Sequence, residues 1–141
     1  MGEEMVKVAL FGPDGRVETV WAVDLGEGRY QLRNLPFHSF GIAFDDVFTT
    51  VPSDSGFPTV AQVVARSGHS AYRLAMNPGR INEDFERRWA PLQTIGCTYE
   101  RATAGLLAVD IPPSTDLNVA YQLLEAGTDV WDFEEVYAHT E

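Results

Sequence analysis

The feature that most limits the fold is a change of hydrophobic period near the middle of the chain. Up to Arg66, apolar residues fall in short runs broken by Gly, Pro and Asp. Beyond Ser67, strand-like runs alternate with segments whose apolar residues recur at helical spacing. A chain with both patterns in sequence belongs to the α+β class, with a β-rich part followed by a mixed part.

In the second part, Ala71 to Met76 reads as a strand stopped by Asn77-Pro78-Gly79. Asn82 is a capping residue, and Glu83, Asp84 and Glu86 enrich the turn after it, where the helix dipole favours acid. Phe85, Trp89 and Leu92 then share one helical face, and Gly96 ends it. Pro91 lies inside this run and predicts a kink or break near Trp89, because proline has no N–H to give the preceding turn. Cys97 to Thr103 and Leu106 to Ile111 are strands joined at Gly105. Pro112-Pro113-Ser114 breaks the chain, and Leu117, Ala120, Tyr121 and Leu124 mark a second helix closed by Gly127. Trp131 to Tyr137 is the last strand. The order β-α-β-β-α-β predicts a ferredoxin-like unit, with two helices on one face of a four-stranded antiparallel sheet.

The first part predicts five short strands: Met5 to Phe11, Val17 to Leu25, Arg29 to Leu32, Ile42 to Val51 and Thr59 to Arg66. Gly12-Pro13-Asp14-Gly15 and Gly26-Glu27-Gly28 are the turns between the first three. So many short strands suggest a small curled sheet or barrel. The chain thus divides into residues 1–66, β-rich, and 67–141, ferredoxin-like, packed as one compact unit. At 141 residues it can bury roughly two-thirds of its unfolded surface and needs no metal or disulfide to be stable.

Charge narrows the function classes. The net charge is −11, which argues against nucleic acid and anionic membranes as partners. From Ala102 to Glu141 there are acidic residues but no Lys or Arg. No run is long enough to span a bilayer, the N-terminus carries no apolar leader, and Cys97 is the only cysteine, so a reducing cytoplasm is the expected setting.

No constellation of chemical residues outweighs its plainer reading. In Ser67-Gly68-His69-Ser70 a serine stands beside a histidine, as a nucleophile beside its base, yet a turn explains the segment as well. His38, His69, His139 and Cys97 lie apart in sequence, without the spacing of a metal site. Asp45-Asp46 could be a carboxylate pair for acid–base work or a turn before a strand. The glycines form no phosphate loop, so no cofactor is expected. Arg29, Arg33, Arg66 and Arg73 sit on strands or strand ends; with His69, the last three could line an anion-binding cleft between the halves, or they could pair with the chain's own carboxylates. The aromatics Trp21, Tyr30, Phe37, Phe40, Phe44, Trp89 and Trp131 read as core or junction rather than a ligand cage.

The acidic C-terminal stretch is the other candidate. Asp132 and Glu134 fall on one side of the last strand, and Trp131, Phe133 and Tyr137 on the other. With Asp116, Glu125, Asp129 and Glu135 they would present a negative surface to a basic protein.

Several blocks carry a resemblance: Arg33-Asn34-Leu35-Pro36-Phe37, Asp46-Val47, Ala65-Arg66-Ser67-Gly68-His69-Ser70-Ala71-Tyr72-Arg73, Gly96-Cys97 with Glu100, and Leu107-Ala108-Val109-Asp110-Ile111-Pro112. In that order they are similar to a bacterial family catalogued as a domain of unknown function, number 4265. The resemblance implies one compact bacterial cytoplasmic unit and carries over no catalytic residue. The expectation is therefore a non-enzymatic acidic module binding a basic protein, of immunity or antitoxin type. The alternative is an anionic-ligand or enzymatic module using Arg33, Arg66, His69 and Arg73. A homodimer through sheet edges is compatible with either.

Overall fold

The computed structural model describes residues 4–54, 56–79 and 82–140, with the backbone alone at Asn82. The capping role expected of the Asn82 side chain, like the charge at Glu141, lies outside the described residues. Five strands, β1 (Met5–Phe11), β2 (Val17–Gly26), β3 (Arg29–Leu32), β4 (Val47–Val51) and β5 (Thr59–Ala65), form a closed barrel in chain order. Neighbours pair antiparallel except at the seam, where β1 meets β5 in parallel at Ala9 and Thr59. The Ala9 N–H donates to Pro58 C=O at 2.8 Å there. Val8, Leu10, Val20, Ala22, Leu32, Ile42 and Phe48 fill the barrel. Trp21 does not join them: it lies on the outside, 42% exposed, with the Lys7 ammonium 5.1 Å above its ring.

The expected strand from Ile42 to Val51 is shorter than the sequence suggested. Ile42 to Asp46 forms a turn, and pairing begins only at Val47. Asp45 takes a left-handed φ of 67°, which a strand cannot accommodate. The turn is fixed by Asp46, whose N–H donates to Ala43 C=O at 3.1 Å while its carboxylate accepts from the Ala43 N–H at 2.9 Å.

The second half is β6 (Ser70–Met76), α1 (Asn82–Thr94), β7 (Thr98–Thr103), β8 (Leu106–Ile111), α2 (Leu117–Ala126) and β9 (Trp131–Tyr137). Its sheet runs β7-β8-β6-β9, antiparallel throughout, which is the ferredoxin-like order. Asp116 caps α2 by accepting from the Asn118 and Val119 N–H groups at 2.9 and 3.3 Å. The helix α1 continues through Pro91 to Thr94, against the expected break. Both Pro91 and Arg87, whose carbonyl loses its partner to the proline, are exposed, so water can take the missing bond. Tyr72, Leu74, Phe85, Trp89, Leu92, Leu107, Val109, Ile111, Leu124 and Trp131 pack between the sheet and the helices.

The other face of this sheet meets the first half. Residues 33–46, which connect β3 to β4, lie against it. Ala43 packs on Ala71 and Val136, and the Gly41 N–H donates to Val136 C=O at 2.9 Å. One half-buried carboxylate outside this connection holds it in shape. Glu18 accepts from the N–H groups of Phe37, His38 and Ser39 at 2.9, 2.8 and 2.9 Å and from the Ser39 hydroxyl at 2.9 Å.

Candidate functional site

Strand register places the junction residues in three rows across the second sheet. One row runs Thr98, Asp110, Ala71 and Tyr137. The next runs Glu100, Ala108, Arg73 and Glu134, and the last runs Thr103, Leu106, Ala75 and Asp132. The connection 33–46 meets the first two rows: Leu35 N–H lies 3.5 Å from Glu100, and Pro36 and Ser39 reach Arg73. In the third row Thr103, Ala75 and Asp132 are exposed.

All four residues of the supposed anion cleft gather at this junction, and each meets a carboxylate. Arg33 pairs with Asp45. Arg66 pairs with the fully buried Asp46 at 3.0 Å and lies 3.8 Å over the Tyr137 ring. Arg73, almost wholly buried, donates to Glu134 at 3.0 Å and to Ser39 C=O at 2.8 Å, with Phe40 4.4 Å from its guanidinium. His69 Nδ1 lies 2.7 Å from Asp110 Oδ1, and its ring meets Phe44 edge-on at 5.5 Å. Arg29 is exposed on β3. The three arginines of the supposed cleft, Arg33, Arg66 and Arg73, are thus spent on the protein's own acids, which cancels the positive potential an anion would need.

The serine beside His69 is not set as a nucleophile. Its hydroxyl donates to Phe44 C=O at 2.6 Å and accepts from the His69 N–H at 3.2 Å, while its own N–H donates to Asp46 at 2.9 Å. Gly68, between them, has φ 95° and would bring a side chain to 3.1 Å from Pro113. Asp45 and Asp46 likewise act in the turn, each held by an arginine. Among the described residues no three His, Cys, Asp or Glu side chains are grouped to hold a metal.

Two carboxyls missed as candidates lie close by. Glu100 and Asp110, with Leu35, Phe44 and Thr98, line a cavity of about 100 Å³. Burial pushes Asp110 above the ordinary carboxylate value, opposed by its bond to His69. Burial also pushes Glu100 up, opposed by the Leu35 N–H and reinforced by Asp110. Their only sequence signal was membership of the blocks that carried the resemblance, since pairing between β7 and β8 is what brings them together. Burial, then Asp110, raises the Cys97 thiol to about 11, so the lone cysteine is no reactive centre.

The six acids of the C-terminal stretch divide among four places. Asp116 is occupied with its cap. Asp129 receives both guanidinium arms of Arg88 at 3.0 and 2.9 Å, and Glu125 is exposed at the end of α2. Glu135 stands opposite Tyr72 in the β6–β9 register, and the Tyr72 hydroxyl is raised to about 12 by burial and then by that carboxylate. Asp132 and Glu134 come together. They line a groove of about 260 Å³ with Arg73, Leu74, Ala75, Leu106 and Phe133, at the end of the sheet beyond the connection. Asp132 has no ion pair among the described residues.

The fold is shared with a protein of known structure, described as "Novel crystal structure of a hypothetical protein from Neisseria gonorrhoeae". The similarity has a TM-score of 0.76 at 11% identity, covering 100% of this chain and 99% of that one. No curated protein matches the chain. No helix among the described residues is long and apolar enough to cross a membrane. A family model described as Domain of unknown function (DUF4265) matches residues 18–133, from β2 into β9, and the chain belongs to that family.

Proposed function

We propose that this protein is a non-enzymatic interaction module that binds a basic protein, in the manner of an immunity or antitoxin protein in a bacterial cytoplasm. The observation that carries the reading is the groove beside β9. Asp132 and Glu134 stand on the same side of an edge strand, over a floor of Ala75 and Leu106. A cationic side chain of a partner can lay its aliphatic stem on that floor and its charge beside Asp132, with the second oxygen of Glu134, whose Oε1 is held by Arg73, completing the contact. The rest of the molecule adds a long-range field, since the net charge is −11 and accelerates encounter with a basic surface.

The anion-cleft alternative is weakened by the same geometry, because Arg33, Arg66, Arg73 and His69 each already face an acid. The expected setting agrees with a single, buried, unreactive thiol.

The test is affinity purification from the native host followed by binding of the recovered protein in purified form. A basic partner is expected, with affinity falling as salt rises and with Asp132→Asn/Glu134→Gln weakening it about tenfold. A partner that is acidic, or one indifferent to both salt and the double substitution, sinks the reading.

A further inference from the structure

We infer that the partner is engaged by strand addition: an extended segment with alternating basic and apolar residues extends the second sheet along β9. This deepens the reading above and rests on it. The strand β9 is an edge of its sheet, bonded on one side to β6. Its far end is closed by the Gly41 N–H to Val136 C=O bond, and its start by the Trp131 N–H to Gly127 C=O bond at 3.1 Å. The stretch between, residues 132–135, is left as a short template for another backbone.

The two faces of that template differ in chemistry. One carries Asp132 and Glu134, two residues apart. The other carries Glu135, opposite Tyr72, and Phe133, whose ring lies 5.5 Å from Tyr121 and 6.2 Å from Tyr72. Tyr121 is 42% exposed, so this aromatic strip reaches the surface beside the edge. Side chains of an added strand alternate between the same two faces, with directly opposed Cβ atoms about 5 Å apart. Lysines or arginines at positions i and i+2 would oppose the two acids, and an apolar residue at i+1 would cover Phe133 and Tyr121. A second copy of this chain fails the same criterion. Pairing β9 with β9 sets Asp132 and Glu134 against like charges, which destabilises cross-strand pairs.

Three synthetic peptides of lysine and valine test the inference on the intact protein. The first alternates the two residues. The second has the same composition in two blocks. The third alternates but is N-methylated at every second backbone nitrogen. The alternating peptide is expected to bind about tenfold tighter than the block peptide, a factor that a few cross-strand pairs supply. It should also slow amide exchange at residues 132–135. N-methylation should abolish both effects, and Tyr121→Ser, measured well below its own somewhat lowered melting temperature, should weaken binding severalfold. Equal binding of the alternating and block peptides would overturn strand addition and leave the basic-partner reading intact. Failure of every basic peptide to bind would overturn both. Dimerisation that buries β9 would overturn strand addition by a partner.

Discussion

The indole of Trp131 occupies the space that a side chain on Gly127 would need. A Cβ built on Gly127 comes within 2.3 Å of the ring, and the indole N–H donates to Leu124 C=O at 2.9 Å. The glycine is therefore required for close approach, its φ being an ordinary −93°. Helix α2 ends where it does so that the first residue of β9 can fold back beneath it. Gly127→Ala is expected to cost about 1–3 kcal/mol or more, by overpacking a fully buried ring. Gly105→Ala, where a Cβ meets nothing within 4 Å, should stay within about 0.5 kcal/mol. Urea denaturation of the two variants checks the contrast.

A second prediction concerns Asp46. Its carboxylate accepts from the Ala43 N–H, the Ser67 N–H and Arg66, and it is fully buried. Asp46→Ala leaves two backbone donors unmatched, each worth about 1–3 kcal/mol, whereas Arg66 is partly exposed and can rehydrate. A loss of about 3 kcal/mol is expected. Asp46→Asn keeps one acceptor but turns an NH₂ group toward a donor, so it should lose roughly half as much. Equal midpoints for Asp46→Asn and the parent would show that the charge and one of the two acceptor oxygens are dispensable.

These two residues also show what the sequence could and could not reveal. Gly127 was legible as the end of a helix from Leu117, Ala120, Tyr121 and Leu124, because helix periodicity and its terminator are local signals. The same local signals gave the order of strands and helices in the second half. Asp46 was read as a turn residue inside a longer strand, and its service to Ser67 and Arg66 was invisible, since those partners lie across the junction. Closure of the barrel at Ala9 and Thr59, and the four bonds gathered by Glu18, are likewise long-range. The acidic stretch was legible as charge but not as a surface. Whether an acid is free depends on an arginine brought from elsewhere, as Arg88 is brought to Asp129 and Arg73 to Glu134.

The third prediction is a pH dependence. Burial holds the proton on Glu100 to higher pH than in the unfolded chain. Between those two values the folded state binds more protons, so this group makes stability fall as pH rises from mildly acid toward neutral, and its effect levels off above the folded value. Asp110 contributes in the same direction through its own burial. Glu100→Gln removes one of the two groups and keeps an oxygen for the Leu35 N–H. Its stability should decline less over that range than the parent's, by thermal melting at matched ionic strength. An identical slope in both proteins would show that Glu100 ionises as freely folded as unfolded.

The reach of residues 33–46 onto the second sheet has a consequence for the chain as a whole. Arg73 belongs to the second half, but two of its hydrogen-bond acceptors, Pro36 and Ser39, are carbonyls of the first. Severing the chain at the change of period would strip a nearly buried guanidinium of those partners. The two patterns seen in the sequence are therefore expected to melt together, in a single transition.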